Sequence, residues 1–564
     1  MRPQGRGELD SLYFDYPLFP FTRPPELDGQ QQRHPVVIVG GGPVGLTAAL
    51  ELARHSVPAV VLESKNTLND GSRAICISRH SLELLQQLGV SDAFVNKGLG
   101  WTHGRSYYKD QQIYRLVMPH SDHERFYPMY NLQQQYIEQF LVDKAATDEC
   151  IDIRWQSKVR GIDITERGAV LTVATPEGDY PLEAAYVLAA DGARSTIREA
   201  LGLKLQGDAY EGRYVIADVH LKSDFPTERR AFFNPASNPG ATVLIHKQPD
   251  AIWRIDWQLQ EGEDPDEAIK EQNLRPKIAA ILEMIGETGP WELEWWSIYS
   301  AYTLCLDDYR HGPVLFIGDS GHLVPIFGVR GLNNGLADAV NAAWKLAYVI
   351  NHGVGSRLLD SYTPERRGAT LDVFKNARKS THFMTPPSRG YQLMREAALS
   401  LALSHEFTRK FVDPRQVQPY TYSASPLTSF PGRDAEFTAG PKAGAAIINR
   451  KVAHNDYLLD HLERGFTGLY FCEQSQISAV CSMLFGELTQ IDPVFKPIVI
   501  TKQGFSEDQF TVIEDTQSTI FEGYGAIDGS FYLLRPDRHV AARWRVLNPQ
   551  EVRRALTIAL GGPA

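Results

Sequence analysis

The sequence predicts an α/β protein: a Rossmann-type unit opened by a βαβ element, an inserted, mainly antiparallel sheet, and a further α/β unit toward the C-terminal end. Three observations carry this expectation. The stretch PVVIVGGGPVGLTAALELA, followed by VPAVVLES, runs apolar strand, glycine turn, helix and second strand. Residues 210–304 hold segments rich in aromatic and β-branched residues, separated by turn signals such as NPASNPG and QPD. After the loop-rich linker SASPLTSFPGRDAEFTAGP, short strands and helices alternate again from about 425.

A chain of 564 residues exceeds one core and should divide into two or three domains. Hydrophobic residues make up 43%, enough for large buried cores, and the formal charge of -11 argues against nucleic acid as a partner. Five cysteines, none spaced as CxxC, fit a reducing compartment and support neither a metal site nor a redox disulfide. MRPQGRGELDSLYFDYP lacks the apolar core of a signal peptide, and no apolar run approaches the ~18 residues of a membrane span. A cytoplasmic protein without membrane contact is expected.

Residues 1–34, rich in proline, aromatics and glutamine, read as an extension packed over a surface. Val36 to Val39 then form a buried strand. Gly40, Gly42 and Gly45 supply GxGxxG, and the helix begins at Pro43 and Val44. The first glycine permits a tight turn, the second lets a pyrophosphate approach the backbone, and the third lets helix and strand pack closely. The helix N-terminus offers free N–H groups to phosphates. Glu63 ends the second strand, where a carboxylate accepts from an adenosine ribose. Arg73 lies in the following loop, before a helix from about Ser78; it reads either as a phosphate partner or as a solvated loop arginine.

Asn131 to Ala146 should be helical, opened by Gln133, Gln134 and Gln135. Strands follow, the last from Tyr186 to Ala190 with Asp191-Gly192 at its end. Five strands and one helix, about Arg275 to Ile285, are expected in 210–304, a sheet suited to walling a cleft. In GPVLFIGDSGHLVPIFGVRGLNNGLADAV a strand ends at Gly318-Asp319, and a glycine-rich loop leads to a long helix starting near Leu332 or Asn333. A helix from about Pro549 to Leu560 closes the chain.

GGGPVGL with Glu63, Asp191-Gly192 followed by Arg194, and Gly318-Asp319 with the helix at Asn333 together resemble the single-component FAD-dependent aromatic monooxygenases, the family of para-hydroxybenzoate hydroxylase and phenol hydroxylase. The part from about 425 looks like the thioredoxin-like domain of the phenol hydroxylase branch. The resemblance implies a Rossmann-type FAD-binding domain in two parts (35–209 and, with further helices, 305–424), an inserted substrate-binding β-sheet domain (210–304) and a thioredoxin-like domain (425–564). It also implies NAD(P)H as electron donor, an aromatic substrate with O2, and a homodimer. Glu63 would bind the adenosine ribose, Arg73 the pyrophosphate region and Asp319 the ribityl chain. Gln134 best matches the family's flavin-contacting glutamine, with Gln133 as rival, and Asp191 serves FAD and NAD(P)H. Gly331, Leu332 and Asn333 would meet the flavin. Three stretches depart from the family: its GDAAH reads Gly318-Asp319-Ser320-Gly321-His322, its GxGxN reads Gly328-Val329-Arg330-Gly331-Leu332-Asn333, with Arg330 at a position often basic or glutamine in the family, and Ile75 stands where phenol hydroxylase has an aspartate. Without CxxC, the C-terminal domain would carry no thiol chemistry.

The reaction so implied reduces the flavin with NAD(P)H, adds O2 to give a flavin hydroperoxide, and passes one oxygen to an electron-rich ring. Arg330 and the helix terminus would stabilise the anionic reduced flavin. Trp253, Trp257, Trp295, Trp296, Tyr299 and Tyr302 could wall a dry pocket, and His246 and Arg254 are candidates to orient a phenolate. The bland readings are core aromatics, a satisfied histidine, and a surface arginine paired with Asp256. His322 reads as a structural hydrogen-bond partner. Another FAD-dependent oxidoreductase and a non-catalytic flavin-binding protein are the rival functions.

Overall fold

The computed structural model describes residues 1–563 apart from 72, 261, 326–327, 387, 413–417, 432–433 and 506–508, and apart from the side chains at 209–212, 301, 377–378, 380–381 and 410–412. Residues 326–327 of the expected glycine-rich loop and 432–433 of the expected linker thus lie outside the description.

The apolar run VVIV does what its composition dictates. Arg33–Val39 is a central strand, and Val36, Val37 and Ile38 are fully buried. It pairs in parallel with Ala59–Leu62 on one side and Gly178–Ala189 on the other. Ala59–Leu62 pairs onward with Ile151–Arg154, and Gly178–Ala189 with Val314–Phe316, also in parallel. Register is the decisive fact. Leu62 lies opposite Val39, Val39 opposite Ala189, and Ala189 opposite Phe316. Glu63, Gly40, Asp191 and Gly318-Asp319 therefore emerge at one edge, the carboxyl end of a parallel sheet where ligands bind.

The inserted sheet has eight strands, ordered His322–Leu323, Glu292–Cys305, Gln206–His220, Ile252–Gln258, Thr242–Lys247, Arg229–Phe233, His103–Tyr108 and Gln111–Val117. Period-two alternation gives it two faces. Val243, Ile245, Trp253, Ile255, Trp257 and Trp296 pack with Leu274, Ile278 and Ile281 of the Glu271–Met284 helix. Trp253, Trp257 and Trp296 thus belong to that core, which corrects their expected place on the pocket wall. Trp295 alternates to the other face, which carries Asp218, His246, Arg254 and Asp256.

From residue 467 a five-stranded sheet is ordered Thr511–Glu514, Lys496–Thr501, Thr467–Cys472, Phe531–Leu534 and Val540–Trp544, with the first three parallel and the last two pairings antiparallel. No disulfide joins the five cysteines. The Gly331–His352 helix is buried from two sides. Ala339, Ala342, Ala343 and Leu346 face the core of the parallel sheet, while Trp344 and Tyr348 enter the core of the C-terminal sheet.

The N-terminal segment packs across both sheets. Arg2 pairs with buried Glu294, whose carboxylate also accepts from Ser11 Oγ (2.7 Å) and the Leu12 N–H (2.9 Å). Tyr16 Oη accepts from the Gly71 N–H and from Gln135 Nε2.

Candidate active site

The glycine turn has the sterics its spacing demands. Gly40 adopts φ 109°, and a Cβ there would meet the Ala190 carbonyl oxygen at 2.4 Å. A Cβ on Gly45 would stand 2.0 Å from the Gly40 oxygen. Gly42 differs: its backbone is extended, and a Cβ would meet nothing within 4 Å. That open space lies at the N-cap of the Pro43–Arg54 helix, with Pro43 at the first helical position, where a missing N–H costs nothing. An anion could approach the helix N-terminus through that space. Val44 packs against Gly318 and Gly335, which brings the two flavin-motif segments together.

Glu63 is held by the backbone. Its Oε2 accepts from the Gly41 N–H at 2.8 Å and its Oε1 from the Lys65 N–H at 2.9 Å. Oε1 also accepts from Ser64 Oγ at 3.2 Å, so it is Oε2 that retains capacity for a hydroxyl. Asp191 accepts from the Ile197 N–H through Oδ2, while its Oδ1 is buried without a hydrogen-bond partner. Burial raises its pKa. The Arg198 guanidinium ties this loop to the next motif, donating to the Ala193 and Ser320 carbonyls at 2.7 and 2.9 Å.

Asp319 is exposed between buried Gly318 and Ser320. Even so, surrounding protein pushes its carboxyl pKa upward, with His322 and Arg73 pulling the other way. The carboxylate is thus open to solvent on one side and surrounded by protein on the other, as in a recess. His322 is a structural partner: Nε2 lies 2.6 Å from Asp338 Oδ2, which also accepts from the Gly318 N–H at 3.0 Å.

The long helix starts at Gly331 with Arg330 as its N-cap, one or two residues earlier than expected. Asn333 is a clamp. Its Oδ1 accepts from the Ser78 N–H and Ser81 Oγ, and its Nδ2 donates to the Cys76 and Val329 carbonyls. With the side chain so engaged, any contact of Asn333 with a cofactor falls to the main chain, as at Gly331 and Leu332. Arg330 is buried; burial lowers its pKa, Asp372 opposes this, and Arg229 adds to it.

Gln134 opens the Gln134–Ala145 helix and organises the Arg73 loop, its Oε1 accepting from the Ala74 N–H at 3.1 Å and the Arg73 N–H at 3.3 Å. Its rival Gln133 is fully buried and donates to the Pro249 carbonyl across the cleft. The same loop rests on the inserted sheet: Gly71 lies against the Trp295 ring, and Arg254 Nη1 donates to the Arg73 carbonyl at 3.3 Å.

On that sheet, His246 lies opposite Arg254 in the register. Arg254 is buried and pairs bidentately with Asp218, at 2.7 Å for both bonds, rather than with Asp256 as a surface residue. His246 is buried with Nδ1 unpartnered and Nε2 3.9 Å from Asp256 Oδ2. Burial holds its pKa well below the usual range, helped by Arg229 and Arg254, so the ring is neutral. Asp256 is pushed up to about 7 by burial, against Arg254. Tyr299 donates to the Val324 carbonyl, and its pKa is raised by burial and by Asp319, which places this face beside the nucleotide edge. Ile75 joins Cys76, Trp101, Met118 and Met129 in an apolar cluster.

Asp218, Arg229 and Gln248 were not singled out from the sequence, and Asp256 was named only as a surface partner for Arg254. A signal existed: in IWRIDWQ the tryptophans alternate with Arg254 and Asp256, the mark of a strand with one apolar and one polar face.

The carboxyl edge of a parallel sheet facing the polar side of an inserted sheet is the arrangement of a protein that brings a nucleotide cofactor against a small substrate. The chain belongs to the FAD-binding domain family, whose model matches residues 33–377. It is 27% identical over 546 residues to the 6-methylpretetramide 4-monooxygenase of Streptomyces rimosus, with 92% of each chain covered. It is 25% identical over 528 residues to a 3-(3-hydroxy-phenyl)propionate/3-hydroxycinnamic acid hydroxylase of Burkholderia cenocepacia, covering 91% of this chain and 94% of the relative. The flavin-dependent monooxygenase PieE, solved with FAD and substrate, superposes with a TM-score of 0.74 at 21% identity, covering 94% of this chain and all of that one. These relatives place the protein among the FAD-dependent aromatic hydroxylases, with FAD as its cofactor. Among the described residues, no helix is long and apolar enough to cross a membrane.

Proposed function

We propose that the protein hydroxylates a phenolic ring with NAD(P)H and O2, the ring lying between the Asp319 recess and the polar face of the inserted sheet. The observation that carries this reading is that face itself: it meets the cofactor loop through Arg254 and Trp295 and holds buried polar groups with no protein partner.

Bound FAD supplies the two-electron relay between NAD(P)H and O2. The chain supplies the rest. Gly42 and the Pro43–Arg54 helix terminus would receive the pyrophosphate, Glu63 the ribose and Asp319 the ribityl hydroxyls, with Arg73 contributing positive charge. The Gly331–Asn333 terminus and Arg330 present positive potential where reduction leaves negative charge. The Ile75 cluster and Trp295 exclude water from the ring's side of the recess. His246, neutral by burial, orients the phenolic oxygen, while Arg254, neutralised by Asp218, holds the Arg73 loop. The five-stranded C-terminal unit would be thioredoxin-like in form and structural in role, and the whole a cytoplasmic homodimer, which light scattering on the purified protein would test.

The deciding experiment is a panel of hydroxylated aromatics followed by NAD(P)H oxidation, peroxide release and product mass under 18O2. Incorporation of one labelled oxygen per NAD(P)H, with little peroxide, is expected. Turnover without label would mark a dehydrogenase, and bound flavin without NAD(P)H oxidation a non-catalytic flavoprotein.

A further inference from the structure

One positive charge on the cleft face is left unanswered by the fold. Glu228 accepts from Arg105 Nε at 2.7 Å and Arg230 Nε at 2.6 Å, so its neighbours on the opposite face are satisfied. Arg229, between Glu228 and Arg230 in sequence, alternates to the cleft face. It is 7% exposed, its Nε is buried without a partner, and among the described residues no hydrogen bond or ion pair closes on its guanidinium. Its electrostatic neighbours are Cys76 and Arg330 from the cofactor side, and Asp256 and His246 from the sheet. Arg254 beside it is neutralised by Asp218. Asp256 Oδ1, His246 Nδ1 and both amide atoms of Gln248, all buried, also lack partners.

Buried polar groups are ordinarily paired, and a buried guanidinium more strictly than most. Several unpaired groups on one face of one sheet indicate that the missing partner is not part of the chain. We propose that Arg229 receives an anionic oxygen of the substrate, a carboxylate or an ionised phenol, with His246, Gln248 and Asp256 completing its hydrogen bonds. The inference rests on the cleft being the substrate's site, and it adds the substrate's charge and its anchor. The guanidinium fork matches two oxygens in a plane, which fixes orientation as well as affinity. Asp256 does not oppose this, because a carboxyl held at about 7 by burial is largely protonated below neutrality and donates to an anion.

The test uses FAD-loaded protein and reads the flavin absorbance change on binding three probes: 3-hydroxybenzoate, its uncharged analogue 3-hydroxybenzamide, and 2,4-dinitrophenol, all at a pH below neutrality where the nitrophenol is ionised and Asp256 is protonated. At least one anion should bind about tenfold or more tightly than the amide. Preference for the benzoate assigns the charge to a carboxylate, and preference for the nitrophenolate assigns it to an ionised phenol. Arg229→Met should abolish the preference while retaining FAD, and Arg229→Lys should keep part of it. The wild-type comparison needs no variant, so a misfolded substitution does not remove the test. Equal binding of amide and anions, binding of neither anion, or an unchanged preference in Arg229→Met would overturn the proposal. Intact anion preference without hydroxylation of any aromatic would instead sink the proposed reaction and leave this inference standing.

Discussion

At the scale of single residues, Gly42 separates cofactor binding from folding. Its conformation is open to any residue and its Cβ direction is empty, so Gly42→Val should leave stability unchanged and fill the pyrophosphate cradle. Purified Gly42→Val is expected colourless, with a normal unfolding transition; stoichiometric FAD at wild-type affinity would refute the site. Arg330 tests the chemistry. If its buried charge lies at the reduced flavin, Arg330→Met keeps FAD but lowers the reduction potential by about 30 mV or more, the two-electron equivalent of about 1.4 kcal/mol. A photoreduction titration against a reference dye gives the number, and an unchanged potential removes Arg330 from the site. Asp256 carries a pH signature. It is faced by Arg254, Asp218, Arg229 and His246, and burial moves its carboxyl from 3.8 to about 7 in the native state. Between those values the folded protein binds the extra proton, so its stability falls as pH rises through the window. Asp256→Asn lacks this loss. Relative to it, the wild type should forfeit on the order of 2–4 kcal/mol between pH 4 and 7, read from urea midpoints. Parallel pH profiles would show that Asp256 titrates normally.

Elements show which parts of the molecule a sequence exposes. The first strand, turn and helix were readable because glycine spacing encodes steric needs met within a few residues, such as the 2.0 Å approach at Gly45. The cleft face was less readable. Arg229, His246 and Asp256 are distant in sequence, and only the pairing of Thr242–Lys247 with both Arg229–Phe233 and Ile252–Gln258 brings them together. The strands His103–Tyr108 and Gln111–Val117 went unpredicted for a related reason. Few of their residues are buried, and His103–Tyr108 is placed by parallel pairing with Arg229–Phe233, more than 100 residues on. Likewise, the pairing of Arg254 with Asp218 rather than Asp256 depends on the cross-strand register of Gln206–His220. Helix packing offers its own test. A Cβ on Gly335 would stand 2.7 Å from Val44 Cγ2 and 3.4 Å from the Gly318 Cα. Gly335→Ala should therefore separate two flavin-motif segments, costing about 1–3 kcal/mol and loosening FAD. Val44→Ala removes the obstructing methyl, so the double variant should recover much of the loss. An additive double-mutant cycle would show that the two residues do not meet in this way.

The molecule as a whole is joined by a buried ionic network between its C-terminal sheet and its nucleotide edge. Arg535 follows a strand of the C-terminal sheet and is fully buried. It donates to both oxygens of Glu365 at 2.6 and 2.8 Å, and to Asp537 at 2.7 Å. Lys345 of the long helix donates to Glu365 at 2.7 Å, and Asn341 to Glu365 and Asp537. Tyr422 extends the chain of contacts, meeting Asn341 and accepting from Arg366, which binds Asp338, the acceptor of the Gly318 N–H. Burial alone would raise the Glu365 pKa, yet Arg535 and Lys345 hold it below the usual range. Two cations and two carboxylates thus balance in a buried interface. Such networks contribute little net stability compared with apolar packing, but losing one member leaves an uncompensated buried charge. Arg535→Met strands Asp537 and half-pairs Glu365, so a loss of about 3–5 kcal/mol is expected from denaturant unfolding. Replacing Arg535, Asp537, Glu365 and Lys345 together with apolar residues of similar volume should restore most of it. FAD affinity separates two roles for the network. If it positions the Gly318 turn, Arg535→Met weakens FAD binding in protein that is still folded, and the apolar quadruple variant does not regain full affinity. A single substitution costing less than about 1 kcal/mol would mean that water or local rearrangement neutralises the site, and that the C-terminal unit is not electrostatically coupled to the flavin edge.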